Sequence, residues 1–230
     1  MHVEIWSDIA CPWCYVGKRR FETALDAFEH AGQVHVTWRS FELDPGAPRE
    51  RSGDGATHLA EKYGTTREQA MAMHRNMTEV AARDGLDFRF DLARGGNSFD
   101  AHRLLHLADS LGLQDAMKER LLAAYLTEGE LIGDPATLER LALDVGLPKD
   151  DVRDLLATDR YAVEVRADEN TAAALGISAV PFFVVDRALA ASGAQPPEAL
   201  GELLRQGWAA RKPPAPLVVA SGDSCGIDGC

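Results

Sequence analysis

The feature that most constrains this chain is a pair of cysteines, two residues apart, where a strand pattern gives way to a helix pattern. Residues 2–7 favour a strand, and the C-P-W-C motif at residues 11–14 follows shortly after them. Apolar residues at helical spacing then predict a helix that begins at the motif and stops by Gly32. Residues 34–41 alternate like a second strand. The pattern predicts a β–α–β unit with the cysteine pair at its strand-to-helix junction.

The spacing and position of these cysteines favour redox chemistry. Cys11 lies at a predicted helix N-terminus, where unpaired backbone N–H groups and the positive end of the helix dipole favour a thiolate. The thiolate is the nucleophile in thiol–disulfide exchange. We therefore expect Cys11 to be the attacking thiol, with a lowered pKa and the greater exposure, and Cys14 to be its resolving partner. Pro12 suits the first helical position, where the N–H that it lacks would be unbonded anyway.

A zinc site is the first alternative interpretation of the same motif. C-P-x-C forms half of a zinc ribbon when a second cysteine pair follows within roughly 20 residues, but the next cysteine here is Cys225. The strand before the motif and the long helix after it are also atypical of a zinc turn. We predict no metal site, although a zinc protein that uses all four cysteines, or a peptide-holding chaperone, stays open at this point.

A proline at the start of the second strand-rich segment is the next informative feature. Residues 177–186 favour a strand, and Pro181 would interrupt its interior unless it stood at the first position. Only about one X–Pro bond in twenty is cis in folded proteins, so by itself this proline would end a loop in the trans form. With the upstream cysteine motif, this segment resembles the point in a thioredoxin-like sheet where a cis-proline faces the reactive cysteine. The resemblance implies a cis Val180–Pro181 bond opposite Cys11, next to backbone that can pair with an extended substrate. The candidate substrate-binding residues beside the cysteines are Pro12, Trp13, Val180 and Pro181.

The order of helix and strand patterns along the rest of the chain predicts an α/β fold that a helical segment interrupts. Residues 45–56 are rich in Gly, Pro and charge and predict a linker or exposed loop. Helical patterns then continue to about Gly176, after which strand patterns return. We predict an α/β domain formed by residues 1–44 and 177–212, interrupted by an all-helical insertion at 45–176 and followed by a flexible tail at 213–230.

These features together resemble the DsbA-like thioredoxin domains, over essentially the whole chain. The resemblance rests on C-P-W-C after a short strand, on the long helical insertion, and on A-V-P-F-F-V-V-D at residues 179–186. N-S-F-D-A-H-R at residues 97–103, S-G-A-Q at residues 192–195 and a cysteine-bearing C-terminus are similar to the cytosolic FrnE branch. The resemblance implies a thioredoxin-like fold with a helical insertion, a redox pair at Cys11 and Cys14, and a cis-proline at Pro181.

Relatives in the same superfamily supply a second alternative. 2-Hydroxychromene-2-carboxylate isomerases and kappa-class glutathione transferases, by resemblance, carry serine at the position of Cys11 and bind glutathione. The two cysteines argue against such an isomerase or transferase activity, while glutathione stays open as a ligand. Trp13 departs from the periplasmic members, which carry histidine there. Because a neutral indole supplies no positive charge to the thiolate, we do not expect the strongest oxidising behaviour of the superfamily.

Two weaker patterns lie in the helical segment. The superfamily places the region of residues 97–103 near the active-site cleft, so Asn97 and Phe99 are candidate substrate-binding residues. A helix cap followed by an amphipathic turn is the alternative. The methionines at residues 71, 73 and 77 fit either an adaptable binding face or ordinary helix packing, and their irregular spacing favours packing.

The C-terminal C-x4-C pair, Cys225 and Cys230, is predicted to be an auxiliary redox couple. Its polar, glycine-rich surroundings are unlike a packed core. The residues from Pro213 to Cys225 would span roughly 17–21 Å if flexible, which is enough to reach the active site from many anchor points. The alternative is a tail whose cysteines merely oxidise or bind stray metal.

The formal net charge of −12 restricts the partners. A nucleic-acid-binding surface needs a cationic patch, and the sequence has no basic block. No apolar run approaches the roughly 20 residues of a membrane-spanning helix, and the start lacks the basic and apolar regions of a secretory signal. We therefore expect a cytoplasmic enzyme without nucleic-acid or membrane partners. Its expected partners are protein disulfide or dithiol substrates and a thiol electron donor or acceptor. We expect no cofactor beyond the redox-active disulfide, and a reducing compartment favours the reductase or isomerase direction.

Overall fold

The computed structural model describes residues 1–211, in which one four-stranded sheet has helices on both faces. The strands are β1 (His2–Ser7), β2 (His35–Ser40), β3 (Phe182–Val185) and β4 (Leu189–Ser192). Their order in the sheet is β2-β1-β3-β4. β2 runs parallel to β1, whereas β3 is antiparallel to both β1 and β4. The predicted β–α–β unit is therefore present, and the α/β class is confirmed.

The described residues contain nine α-helices, seven of them between β2 and β3. Helix α1 (Pro12–Asp26) begins at the cysteine motif, and α9 (Pro197–Ala210) follows β4. The seven helices between β2 and β3 are α2 (Gly55–Tyr63), α3 (Arg67–Arg83), α4 (Phe99–Ser110), α5 (Gln114–Ala123), α6 (Pro135–Val145), α7 (Lys149–Ala157) and α8 (Ala162–Ala174). Asp134 fixes the start of α6, because its side chain accepts the N–H of Thr137. None of the helices within residues 1–211 is long and apolar enough to cross a membrane.

Alternation along β1 places a different core on each face of the sheet. Val3 and Ile5 pack on one face with apolar residues of α1 and α9. Trp6 points to the other face, where it packs with Ala172 of α8. Its indole N–H donates to the carbonyl oxygen of Asp168 over 3.0 Å. Both faces of the strand that leads to the cysteines are therefore covered by helices.

The helical segment packs directly against the cysteine motif. Ile9, just before the motif, belongs to the buried cluster of α4, α5, α6 and α7. Tyr15 and Val16, just after it, belong to a second cluster with residues of α3 and α5. The side chain of Gln114 accepts the Trp38 N–H at 2.8 Å and donates to the Trp38 carbonyl oxygen at 3.0 Å. These two bonds satisfy the backbone N–H and carbonyl of Trp38 at the outer edge of β2, as a neighbouring strand would.

Two predicted elements are shorter than expected. The strand predicted over residues 177–186 begins only at Phe182, since Pro181 has no N–H for the ladder and residues 177–181 form the loop before it. Helix α1 ends at Asp26, and a 3₁₀ turn, Ala31–Gln33, connects it to β2.

Candidate active site

Cys11 lies at the junction between β1 and α1. It is the N-cap residue of α1, with φ −96° and ψ 112°, and Pro12 takes the first helical position as expected. The N–H of Cys14 donates to the Cys11 carbonyl oxygen at 3.0 Å, which closes the first turn. Cys11 is 5% exposed and Cys14 0%. Cys11 is therefore the more exposed of the two, although both are buried.

The structure brings the cysteine motif and the proline loop together. The Val180–Pro181 peptide bond is cis, as predicted. Sγ of Cys11 lies 3.7 Å from the carbonyl oxygen of Val180, within hydrogen-bonding distance of sulfur. Pro181 is buried against α1, where a Cβ added to Gly17 would lie only 2.8 Å from its Cγ. Only glycine at position 17 allows the proline ring to sit this close to the helix.

A cleft of about 1010 Å³ lies beside Cys11 and extends to α2 and α3. Near the sheet it is lined by Cys11, Pro12, Trp13, Ser178, Ala179 and Val180. Apolar residues of the helical segment line the rest, among them Leu59, Met73, Met77, Val80, Phe90 and Tyr125. Trp13 is 44% exposed at the rim, whereas Cys14 is fully buried behind Cys11. Cys11 is thus the sulfur of the pair that a molecule in the cleft can reach.

The weaker sequence patterns have different outcomes in the structure. Gly96 and Ser98 line the cleft, but Asn97 and Phe99 do not. Asn97 instead accepts the N–H of Phe99 at 2.8 Å, while the N-cap residue of α4 is Ser98, whose side chain makes no capping bond. The Phe99 ring lies under the guanidinium of Arg166. Two of the three methionines, at residues 73 and 77, do face the cleft. Ordinary helix packing therefore does not account for all three methionines of α3.

Polar and cationic groups surround Cys14 rather than Cys11. Burial opposes the ionisation of Cys14, but a hydrogen bond from the Cys11 thiol, the nearby ammonium of Lys118 and the Ser7 hydroxyl outweigh it. Together they lower the pKa of Cys14. Lys118 comes from α5 and is itself 0% exposed. The groups that stabilise a thiolate therefore lie at the inner sulfur.

The expectation that Cys11 has the lowered pKa is wrong for the reduced pair. The hydrogen bond that the Cys11 thiol donates to Cys14, together with burial and the charge on Cys14, raises the pKa of Cys11 well above its usual value. Two sulfurs in contact hold one negative charge far more readily than two, and here that charge is stabilised at Cys14. The surroundings of the reduced pair therefore favour ionisation at Cys14 over ionisation at Cys11.

A buried Asp–His pair lies next to the cysteines. The Asp8 carboxylate accepts the Leu43 N–H at 2.8 Å and lies 3.3 Å from Nε2 of His102. Burial works against its charge, but the contact with His102 and the bonds from Leu43 and Ser98 hold the pKa of Asp8 below its usual range. Burial also lowers the pKa of His102, although Asp8 opposes the shift. Asp8 therefore places a negative charge beneath the cleft.

Sequence reasoning missed Asp8 and Lys118, and it noted His102 only as part of the motif at residues 97–103. A signal existed for Lys118, because it falls on the buried face of α5 together with Gln114, Met117, Leu121 and Leu122. A lysine in such a row is unusual enough to mark a functional candidate. Within residues 1–211, no group of three or more His, Cys, Asp or Glu side chains could hold a metal ion. The predicted auxiliary pair, Cys225 and Cys230, lies outside the described residues.

Comparison with known proteins identifies relatives over most of the chain. Residues 2–205 match the family model of the DSBA-like thioredoxin domain. A crystal structure described as a "probable DsbA oxidoreductase" from Streptomyces coelicolor is 47% identical, with a TM-score of 0.88 over 100% of this chain and 98% of that one. The uncharacterised protein YwbO of Bacillus subtilis (strain 168) is 27% identical over 187 residues, which are 80% of this chain and 86% of that protein.

A more distant structure shares the fold alone. The cytosolic disulfide reductase DsbM from Pseudomonas aeruginosa, solved with GSH, is 18% identical. Its TM-score is 0.66, with 91% of this chain and 100% of that chain covered. The similarity extends through the helical segment, so the sheet and the helices between β2 and β3 occur together in both.

Proposed function

The chain belongs to the DSBA-like thioredoxin domain family, and from that premise we propose that it exchanges disulfides with protein substrates through Cys11 and Cys14. The observation that carries the proposal is the position of Cys11. Its sulfur lies 3.7 Å from the Val180 carbonyl oxygen at the inner end of a large cleft, with Cys14 buried behind it. This is the arrangement that exchange requires, with one sulfur that a substrate reaches and a second that it does not.

In the first step, Cys11 attacks a substrate disulfide. Cys11 releases its proton to solvent and reacts as the thiolate. The Cys11 thiolate then bonds to one substrate sulfur, and the other leaves as a thiolate. Backbone beside Val180 and Pro181 is adjacent to the mixed disulfide and is suited to pairing with an extended chain. Pro12 and Trp13, which also line the cleft, contact the substrate beside Cys11.

In the second step, Cys14 resolves the mixed disulfide. Its thiol gives its proton to the released substrate thiolate and attacks Sγ of Cys11. The Cys11–Cys14 disulfide forms, and the second substrate sulfur leaves as a thiolate. The substrate has gained two electrons, and the cysteine pair has lost two. The same steps in reverse oxidise a substrate dithiol.

The reductase or isomerase direction suits a pair of this kind in a reducing compartment. Cytosolic thiols are kept reduced by low-molecular-weight and protein donors, and such a donor would return the pair to the dithiol form. Trp13 supports this direction, since an uncharged indole does not stabilise the reduced pair as a cation would. We accordingly place the enzyme in the cytoplasm, with a thiol such as glutathione as electron donor and no cofactor beyond its own disulfide.

The tail cysteines extend this proposal. Cys225 and Cys230 would form a second couple that passes electrons to the Cys11–Cys14 disulfide. Removing residues 221–230 should then slow turnover of a macromolecular disulfide, and a transient crosslink between Cys11 and a tail cysteine should be detectable in the full chain. Equal turnover by both chains, without such a crosslink, would remove the tail from the cycle.

Serine variants in a chain that ends at residue 220 test the central proposal, since no tail cysteine can then substitute. Cys11→Ser should abolish the reduction of insulin by dithiothreitol above the uncatalysed rate. Cys14→Ser should accumulate mixed disulfides with insulin, because attack occurs and resolution does not. If Cys11→Ser reduces insulin as fast as the parent chain, the chemistry does not take place at Cys11.

A further inference from the structure

Two methionines of α3 have nearly the same exposure but different surroundings. Met71 is 39% exposed and Met73 is 41% exposed. The sulfur of Met71 accepts an N–H of Arg67 at 3.3 Å, and Met71 does not line the cleft. Met73 does line the cleft that contains Cys11. Since a single exposed apolar side chain is ordinary, the surface around Met73 decides what its position means.

Met73 belongs to an apolar surface at the α3 end of the cleft. Met77 and Val80 follow it at helical spacing on α3, and with Phe90 they pack into one cluster. Leu59 of α2 faces the same cleft. Apolar surface that lines a cleft is typical of a binding site. We call these five residues the apolar subsite.

Aromatic contacts fix the floor of the apolar subsite. The Phe90 ring stacks on His74 with centroids 4.3 Å apart and 8° between the planes, and it meets Phe88 edge-on at 5.6 Å. Phe88 in turn stacks with Tyr15 of α1 at 6.0 Å. The floor is therefore tied to the helix that carries the cysteines. Met73 at the rim is unbranched and flexible, so it can adapt to side chains of different shape.

The charges along the cleft do not suit an anionic ligand. Besides two histidines, the charged lining residues are three carboxylates, Asp8, Asp44 and Glu61, and two cations, Arg51 and Lys62. Arg51 forms a salt bridge with Asp44, and Lys62 lies on the exposed side of α2. A small thiol with free carboxylates, such as glutathione, would find little compensation here for their desolvation. An uncharged apolar segment of a protein carries no such cost.

The size of the cleft sets the distance between its two ends. A volume of about 1010 Å³ equals a cube with edges of about 10 Å, and the cleft extends from Cys11 to α2 and α3. An extended chain advances roughly 3.3 Å per residue. A substrate whose cysteine lies at Cys11 therefore reaches the apolar subsite with a side chain about three residues further along.

From these observations, and resting on the redox function proposed above, we infer that the apolar subsite binds an apolar side chain of the protein substrate, about three or four residues from its disulfide-bonded cysteine. Met73 is then a specificity-determining residue supplied by the helical segment. The exchange at the sulfurs of Cys11 and Cys14 proceeds as described above. The subsite adds selection for unfolded segments, in which a cysteine and a nearby apolar side chain are accessible together.

Peptides that carry one cysteine as a disulfide with 2-thiopyridine test the inference on the reduced full chain. Attack on the peptide sulfur releases thiopyridone, and its absorbance gives the rate constant. In peptides otherwise made of serine and glycine, a single leucine is placed at each position from one to six residues on either side of the cysteine. A leucine three or four residues away on one side should raise the rate constant by about five- to tenfold over the leucine-free peptide, as partial burial of its side chain predicts. No such gain at any of these positions would overturn the inference.

Met73→Gln and Met71→Gln are the matched variants, because both exchange a similarly exposed methionine of α3 for a polar side chain of similar length. The measured quantity is the ratio of the rate constants for the best leucine peptide and the leucine-free peptide, so general changes in reactivity cancel. Met73→Gln should lose most of the gain, and Met71→Gln should keep it. An equal gain in wild type and Met73→Gln, or an equal loss in both variants, would contradict the inference.

S-methylglutathione, which cannot exchange disulfides, tests the other occupant. It should not slow the reaction of the leucine peptide at millimolar concentration. Inhibition that Met73→Gln relieves would assign the subsite to glutathione and overturn the inference. If wild type releases no thiopyridone from any peptide, the proposed function fails instead, so the two failures are distinguishable.

Discussion

Cys11 and Cys14 lie close together, and the pKa of each depends on the other. The hydrogen bond to Cys14, then burial, then the charge on Cys14 raise the pKa of Cys11. Cys14→Ser removes that charge and leaves an uncharged hydroxyl. We therefore expect the pKa of Cys11 in this variant to be lower than the higher of the two thiol pKa values in wild type. Absorbance of the thiolate against pH measures both, and an unchanged or higher pKa would contradict the assignment.

Glu42 is a second residue whose charge depends on its neighbour. It is buried after β2, where Arg166 contacts it at 2.5 Å, and an oxygen of Glu169 is buried without a partner among the described residues. Burial, opposed by the bond from Arg166 and reinforced by the Glu169 carboxylate, raises the pKa of Glu42 to about 7. The ordinary pKa of glutamate is 4.5. Between that pH and about 7, the folded protein therefore holds a proton on Glu42 that the unfolded chain releases.

Because of this proton, the free energy of unfolding falls as the pH rises from about 4.5 to about 7. Between pH 5 and 8 the native state binds more protons at Glu42 than the unfolded state, so the contribution of Glu42 to the free energy of unfolding decreases with pH. Glu42→Gln mimics the protonated form and should gain roughly 2 kcal/mol relative to wild type over this interval. Urea denaturation at several pH values measures the difference. Glu29→Gln, at an exposed site, should show none, and a pH-independent difference for Glu42→Gln would refute the prediction.

At the scale of secondary-structure elements, the spacing between α1 and the proline loop depends on Gly17. A methyl group there would lie 2.8 Å from Cγ of Pro181 and 3.5 Å from the Phe183 ring. Alanine favours a helix interior over glycine by roughly 0.5–1 kcal/mol, but crowding of this kind typically costs about 1–3 kcal/mol. We expect Gly17→Ala to be destabilised overall and to reduce insulin more slowly, because Pro181 shifts relative to Cys11.

Gly32→Ala is the control for this prediction, since no heavy atom lies within 4 Å of its added Cβ. Urea denaturation and insulin reduction should give near wild-type values for it. Equal stability and rate in the two alanine variants would show that the loop accommodates the methyl group without consequence.

Local signals explain which elements could be predicted from the sequence. The first strand and the helix after C-P-W-C carry their information in adjacent residues, so β1 and α1 follow from pattern alone. The cis form of the Val180–Pro181 bond does not, because its prediction also needed the distant cysteine motif. Gln114 and Lys118 differ, because helical periodicity places them on the buried face of α5 without indicating what that face contacts. Their partners, Trp38 and Cys14, lie more than 70 residues away in the sequence, and only the fold brings them together.

The same limit applies to the charge of the cysteine pair. A helix N-terminus predicts a thiolate at Cys11 when α1 is considered alone. The groups that reverse this assignment come from outside α1, namely Ser7 at the end of β1 and Lys118 on α5. Asp8 stands only three residues before Cys11, yet its burial and its contact with His102 depend on the packing of α4. The position of the motif at the start of α1 was therefore predictable, whereas the groups around Cys14 were not.

At the scale of the whole molecule, the sheet and the helical segment share their cores around the cysteines. Ile9 packs into the cluster of α4, α5, α6 and α7, and Tyr15 and Val16 pack with α3 and α5. The cleft likewise takes Cys11 and Val180 from one part and Met77 from the other. Neither part could unfold without exposing apolar surface of the other, so we expect one cooperative unfolding transition.

The distribution of tryptophan makes this last prediction measurable. The four tryptophans, at residues 6, 13, 38 and 208, all lie outside the helical segment between β2 and β3. Fluorescence therefore reports on the sheet part, whereas far-ultraviolet circular dichroism is dominated by the helices. Leu121→Ala creates a cavity in the helical cluster, where Leu121 is 0% exposed, and should cost about 2–5 kcal/mol. Because the cores are shared, both signals should move to lower urea concentration together and remain coincident. A shift in circular dichroism alone, with fluorescence unchanged, would show that the helical segment unfolds independently of the sheet.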